Sequence, residues 1–234
     1  MKRLAIIPAR GGSKRIPKKN IKEFLGKPII AYSIEAALES NLFDEVMVST
    51  DSDEIKEIAI QYGAKVPFLR SEKASDDYAT TFDVIKEVID TYKAKGEVFK
   101  YACCIYATAP FVSQSRLISS FELIEKNNYD SVFPAIEFGF PIQRSLRIVN
   151  DQNKMELVYP EHELSRSQDL ESRYHDAGQF YWLNIKEIMS KGKVWTGNTG
   201  VQLITELEGQ DIDSEIDWKL AELKYKLTRE KNTI

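Results

Sequence analysis

Arg10, Gly11, Gly12, Ser13, Lys14, Arg15, Lys18 and Lys19 directly follow an apolar run that ends at Pro8. Adjacent glycines let a backbone turn sharply and bring its N–H groups against phosphate oxygens, and arginine and lysine offset the phosphate charge. The segment reads as a cradle for a nucleoside triphosphate. Gly11-Gly12-Ser13-Lys14-Arg15 satisfies neither G-x-x-x-x-G-K-[ST] nor G-x-G-x-x-G, so P-loop and dinucleotide-binding chemistry lose ground. A basic surface turn after an edge strand is the competing reading of the same residues.

The second group that could do chemistry is acidic. In Asp211-Ile212-Asp213-Ser214-Glu215-Ile216-Asp217, an extended backbone points Asp211 and Asp213 to one side and Ile212 to the core. Two carboxylates on one face suit Mg²⁺, which takes one or two such ligands and completes its shell with water and substrate phosphates. Asp213 or Ser214 would equally serve as a helix N-cap, with Glu215 and Asp217 favouring the helix dipole. A cationic cradle and a metal pair at opposite ends of one chain are the parts that phosphoryl or nucleotidyl transfer requires.

The elements that must bring these groups together follow from periodicity. At 234 residues and 43% hydrophobic, the chain is long enough for one well-buried α/β domain. Strand-length apolar runs at Leu4 to Pro8, Glu45 to Thr50, Val66 to Leu69 and Tyr101 to Tyr106 alternate with helix-period segments. The helices are expected from Pro28, as first helical residue, to about Asn41, from Asp53 to Gly63, from Thr80-Thr81 through Tyr92, and from about Ser115 to Lys126. This is the pattern of right-handed βαβ units building a mainly parallel sheet flanked by helices, a Rossmann-like nucleotide-binding architecture. After a strand at Ser131 to Ile136 the alternation stops, and residues 137–176 read as an excursion from the sheet. Gly178 to Leu183 and Val201 to Ile204 are returning strands, and an amphipathic helix follows from Glu215 to Leu227.

Composition narrows the function classes. With 32 basic and 36 acidic residues, net charge −4, there is no overall positive field for nucleic acid. The run before Pro8 is too short for a signal peptide and no run of about 18 apolar residues exists, so the expectation is a soluble, cytoplasmic protein with no membrane partner. Cys103 and Cys104 are neighbours on an apolar strand and are expected on opposite faces as reduced core residues.

Taken in order, Ile7-Pro8-Ala9-Arg10-Gly11-Gly12-Ser13-Lys14-Arg15 with Lys19-Asn20, Val48-Ser49-Thr50-Asp51, Leu69-Arg70 with Ala74-Ser75-Asp76, and Asp211-Ile212-Asp213 resemble the CMP-sialic acid synthetase family of cytidylyltransferases. The motifs match in register over essentially the whole chain. Ile105 to Pro110, Phe140 to Arg144, Arg166 to Leu170 and Tyr174 to Trp182 are similar to the branch that acts on pseudaminic acid. The resemblance implies transfer of CMP from CTP to the anomeric hydroxyl of pseudaminic acid or a related nonulosonic acid, with Mg²⁺ and release of pyrophosphate, as a step toward glycan or flagellin glycosylation. It also implies a homodimer formed through the excursion. By the same resemblance Arg10, Ser13 and Lys19 hold the triphosphate, Asn20 and Arg70 help seat the nucleotide, and Asp211 and Asp213 bind the metal. Arg10, Lys19, Asp211 and Asp213 are the catalytic candidates.

The departures from the family fall in the sugar half. Tyr106 stands where the sialic acid branch has glutamine, and His175 stands near an expected arginine, so both are specificity candidates together with Gln143 and Arg144. Tyr106 equally fits a core aromatic and His175 a structural hydrogen-bond partner. Phe138, Phe140, Phe180 and Trp182 are candidate linings for an apolar sugar pocket. The rival classes are the same chemistry on legionaminic or N-acetylneuraminic acid, a nucleotide-binding regulatory module without turnover, and a sugar-phosphate hydrolase. The last needs an aspartate nucleophile where Ala9 and Arg10 stand.

Overall fold

The computed structural model describes residues 1–76 and 78–230. In chain order its elements are β1 (Arg3–Pro8), β2 (Glu23–Phe24), β3 (Lys27–Pro28), α1 (Ile29–Glu39), β4 (Glu45–Ser49), α2 (Asp53–Gln61), α3 (Glu72–Ser75), α4 (Thr81–Ala94), β5 (Tyr101–Ile105), α5 (Gln114–Asn127) and β6 (Ser131–Glu137). There follow β7 (Leu146–Ile148), β8 (Met155–Leu157), β9 (Tyr174–Asp176), β10 (Phe180–Asn184), α6 (Ile185–Lys191), β11 (Thr199–Ile204) and α7 (Glu215–Glu230).

The inner strands are apolar without alternation because helices cover both faces of the sheet, which leaves no polar side to solvate. The strand order is β11-β6-β10-β5-β1-β4, with β9 beside β6. β1 runs parallel to β4 and β5, β6 runs parallel to β11, and β10 is inserted antiparallel between β5 and β6. The register pairs Ile7 with Val48, Ile6 with Cys104 and Trp182 with Cys103. Cys103 packs on one face with Ile7, Val48 and Trp182, and Cys104 on the other with Leu4, Ile6 and Tyr181. Burial pushes the Cys103 thiol well up and the Cys104 thiol to about 12, so neither is a nucleophile at neutral pH.

A third apolar cluster fixes the site. Ile16 from the basic loop, Phe24 from β2, Ile29 and Tyr32 from α1, Ile212 from the acidic segment, and Trp218 and Ala221 from α7 bury one another. Phe24 meets Tyr32, Trp218 and Tyr225 edge-on, with ring centroids 5.4–5.7 Å apart. α7 is started by Ser214, whose hydroxyl accepts the Asp217 N–H while the Asp217 carboxylate accepts the Ser214 N–H at 2.7 Å.

Four expectations are corrected. Val66 to Leu69 is not a strand: Lys65 alone bridges to Met47, because Pro67 has no N–H with which to continue a ladder. Pro28 ends β3 in extended conformation and caps α1 rather than forming its first turn. The excursion is narrower than 137–176, since Glu137 ends β6, the Phe138 N–H donates to the Arg173 carbonyl at 2.9 Å, and β9 is already back in the sheet. Phe180 and Trp182 are fully buried core residues and line no sugar pocket; the Trp182 indole N–H donates to the Leu117 carbonyl. Among the described residues no helix is long and apolar enough to cross a membrane.

Candidate active site

The chain leaves β1 to make β4 on one side and later adds β5 on the other, so the crevice outside the carboxyl ends of β1 and β5 is a topological switch point. A cleft of about 490 Å³ opens there. Pro8, Arg10, Ser13, Lys14, Arg15, Lys19 and Asn20 line it from the loop after β1, Arg70 from the segment after α2, Thr80 and Thr81 from the start of α4, and Tyr106, Ala107 and Thr108 from the end of β5. Six of the sequence-predicted residues, Arg10, Ser13, Lys19, Asn20, Arg70 and Tyr106, therefore share one cavity.

The loop is held from below by an acid. The Gly11 N–H donates to the Asp51 carboxylate at 2.8 Å, and a Cβ on Gly11 would press on Ser52, 3.1 Å from its Cβ. Gly12 faces open space and lines an adjoining hollow with Arg10, Asp51, Ser75 and Asp76. The Asn20 amide donates to the Arg10 carbonyl at 2.9 Å, which makes Asn20 a buttress of the loop. Arg70 is buried, with Nε donating to the Ser49 hydroxyl at 3.0 Å, and burial lowers its pKa against the opposing pull of Asp51. Its guanidinium ties the end of β4 to the cleft wall.

Lys19 joins the two motifs. Its Nζ donates to the Ile212 carbonyl at 2.6 Å and lies 3.4 Å from the Asp213 carboxylate, which Arg15 also meets at 3.0 Å. Ile212 is buried between the two aspartates, as period-two geometry requires. Asp211 presents surface to solvent beside the turn at Gly178, where a Cβ would lie in ordinary contact, 3.7 Å from its carboxyl. Loss of water and the like charge of Asp213 together raise the Asp211 pKa, Lys19 opposing them. A carboxyl whose ionisation is opposed by a neighbouring carboxylate favours a cation, and oxygen donors suit a hard divalent one. Among the described residues no cluster of three or more metal-ligating side chains exists, so a metal here would draw its remaining ligands from water and phosphate.

Tyr106 lines the cleft floor. Its backbone is fixed on both sides: its N–H donates to the Gln179 carbonyl at 2.8 Å, and its carbonyl accepts the Ser33 hydroxyl at 2.8 Å. Its hydroxyl is 3.1 Å from that of Thr81, and burial raises its pKa. Thr81 and the Tyr181–Asp176 pair near Tyr106 were given no site role by sequence reasoning; a hydroxyl at the start of a helix reads only as a cap until the fold turns it toward the cleft.

Three predicted sugar residues are not brought into the cleft. Gln143 is buried in the excursion and donates to the Glu171 carbonyl at 2.8 Å. Arg144 lies over the Phe140 ring, and exposed His175 donates from Nδ1 to the Asp176 carbonyl at 2.8 Å with its ring against Phe138. All three belong to the excursion or its neck, on the sheet's β6 side. A larger cavity of about 900 Å³ lies among α1, the start of α5 and α7, but its cations are paired with its own carboxylates, Lys27 with Glu35 and Arg116 with Glu208. It offers no surplus of cations for a triphosphate.

A family model described as cytidylyltransferase matches residues 4–191. Pseudaminic acid cytidylyltransferase from Campylobacter jejuni is 43% identical over 98% of this chain and 99% of its own. CMP-N,N'-diacetyllegionaminic acid synthase from Legionella pneumophila is 36% identical over 98% of this chain and 99% of its own. Among solved structures, CMP:2-keto-3-deoxy-manno-octonic acid synthetase complexed with CTP shares the fold, with a TM-score of 0.69 at 15% identity over 98% of this chain and 100% of that one.

Proposed function

Because the chain belongs to the cytidylyltransferase family, we propose that it transfers CMP from CTP to the anomeric hydroxyl of pseudaminic acid and releases pyrophosphate. The observation that carries this reading is Lys19, which spans from the phosphate loop to Asp213 and makes the cradle and the carboxylate pair a single site. Arg10 and Ser13 receive the triphosphate with Lys19, and the Gly12 backbone leaves room for it. Arg70 and Asn20 hold the nucleotide walls. Asp211 and Asp213 would hold Mg²⁺, whose chemistry is to offset charge on the phosphate oxygens. The acceptor sugar enters from the Thr81 and Tyr106 side, where hydroxyls replace cations.

The choice of pseudaminic acid follows the Campylobacter jejuni relative, and legionaminic acid is the nearest rival because of the Legionella pneumophila relative. We place the enzyme in the cytoplasm, with its nucleotide substrate, and propose a homodimer joined through the excursion. Its exposed apolar side chains there include Phe140, Leu146, Ile148 and Leu164. Dimerisation is also the route by which Gln143, Arg144 and His175 could approach a sugar, in the partner's cleft.

The test is pyrophosphate release from CTP and Mg²⁺ with pseudaminic, legionaminic and N-acetylneuraminic acids offered separately, with the CMP-sugar identified by mass. Selective turnover of pseudaminic acid is expected. Turnover of another sugar overturns the acceptor assignment alone, and nucleotide binding without turnover of any sugar returns the chain to a regulatory module.

A further inference from the structure

The acidic segment is tied to the cleft floor through a buried amide. Gly178, at φ +64°, turns the chain between β9 and β10 and delivers Gln179, which is only 3% exposed. The Gln179 carbonyl accepts the Tyr106 N–H at 2.8 Å, so its backbone belongs to the floor. Its side chain reaches the acidic segment, where Nε2 donates to the Glu208 carbonyl at 2.6 Å, three residues before Asp211. A carbonyl can only accept, so a nitrogen has to face it. The next residue leaves no slack. A Cβ on Gly209 would lie 2.7 Å from Ile136 Cδ1 and 3.3 Å from Gln179 Nε2, and the Gly209 carbonyl accepts from the Lys224 ammonium at 3.1 Å. Ile136 belongs to β6 and Lys224 to α7, so the peptides on both sides of Gly209 are clasped between sheet and helix. Beyond Asp211, the Ile212 carbonyl is held by Lys19.

We propose that Gln179 is a positioning residue: by fixing the peptide after Glu208 to the floor strand, it sets where the Asp211 carboxylate stands relative to Tyr106, and with that the affinity of the carboxylate pair for a divalent cation. The inference rests on the metal reading above and deepens it. Gln179 is buried and does not line the cleft, so it acts on Asp211 through the intervening backbone. Partners that orient a metal ligand from outside typically cost about 10–100-fold in metal affinity when removed. Without Nε2 the Glu208 carbonyl loses its donor, and the segment is released to find another in water.

Gln179→Met keeps the length and packing of the side chain and removes its N–H, while Gln179→Asn keeps the amide and leaves it one CH₂ short. Both retain the backbone carbonyl that holds Tyr106. Mn²⁺ titrated alone into each protein, with free Mn²⁺ read by electron paramagnetic resonance, measures the site without turnover. Both variants should bind Mn²⁺ about tenfold or more weakly than the wild type, and the Mg²⁺ needed for half-maximal turnover should rise by a similar factor. KM for CTP at saturating Mg²⁺ should stay within about twofold. Ser120→Ala is the control for lost stability alone, because it removes a buried hydrogen bond from α5 to Gln202 on β11; it should keep wild-type Mn²⁺ affinity. Unchanged Mn²⁺ affinity in both Gln179 variants overturns the proposal, and so does an equal fall in Ser120→Ala. The metal reading fails in a different way: a wild type that binds no Mn²⁺, or an Asp211→Asn variant that binds it as tightly as the wild type, removes the carboxylate pair as the cation site and leaves Gln179 nothing to position.

Discussion

At the scale of single residues, the two adjacent glycines do different work and can be separated. A Cβ on Gly11 would press on Ser52 at 3.1 Å, whereas one on Gly12 would have nothing within 4 Å. Gly11→Ala should disturb the loop itself, with a loss of about 1–3 kcal/mol of stability from overpacking. Gly12→Ala should leave the melting temperature in place and raise KM for CTP about tenfold, because its Cβ would occupy the approach of a phosphate. Denaturation curves and CTP kinetics on the pair check this, and an unchanged KM in Gly12→Ala removes that residue from the cradle. Asp211 gives a pH signature. Its folded pKa lies above the ordinary carboxylate value, so the folded chain holds the proton longer and stability falls as pH rises through that interval. Asp211→Asn should remove that loss, melting above the wild type at neutral pH and level with it below about pH 4, where both side chains are neutral. Added Mg²⁺ should stabilise the wild type at neutral pH and have little effect on Asp211→Asn. A metal response that persists in the variant takes Asp211 out of the metal site.

At the scale of elements, the link between the loop and the acidic segment is apolar as well as ionic. Ile16 and Ile212 lie in one buried cluster that α7 closes with Trp218. Ile212→Ala should cost about 2–5 kcal/mol and Ile212→Val about 0.5–1.5, read by urea denaturation. The alanine variant should also lose affinity for CTP, since Lys19 takes its anchor from the Ile212 carbonyl. Loss of stability without loss of affinity would mean that Lys19 keeps its place unaided. This cluster also shows what the sequence could and could not tell. β1, α4, β5 and α5 were legible because their apolar residues repeat at one period over their whole length, and Asp211 and Asp213 because alternation about Ile212 is strict. The strand at Val66 to Leu69 failed on Pro67, whose missing N–H is a local fact that an apolar run conceals. His175, Gln143 and Arg144 are polar residues in a region without periodicity, and nothing local says which way such a loop turns. Thr81 was silent for the opposite reason: its place in the cleft beside Tyr106 depends on a contact that only the folded sheet creates.

At the scale of the whole molecule, the sheet separates its tasks along its width. The cations gather at the carboxyl ends of β1 and β4, against a chain of net charge −4, so the attraction for a triphosphate is local to the cleft. The excursion leaves from β6, on the other side of β10, and carries Phe140, Ile148 and Leu164 at 61%, 62% and 93% exposure. Among the described residues the ribbon of β7 and β8 pairs only with itself, which gives Ile148 no larger sheet to lie on. The proposed homodimer would cover this apolar surface, because a second copy of the same chain offers an identical apolar arm to meet it. Ile148→Glu combined with Leu164→Glu places like charges on that arm. The wild type should sediment as a dimer at micromolar concentration and the double variant as a monomer, with unchanged circular dichroism because neither side chain contributes to the core. Turnover then discriminates between two kinds of dimer. If Gln143, Arg144 and His175 serve the partner's cleft, the monomer should keep its affinity for CTP and lose kcat/KM for the sugar by about tenfold or more, whereas equal sugar kinetics in the two forms would mean that each chain carries a complete site. A wild type that sediments as a monomer overturns the dimer itself and leaves the exposed arm to a different partner.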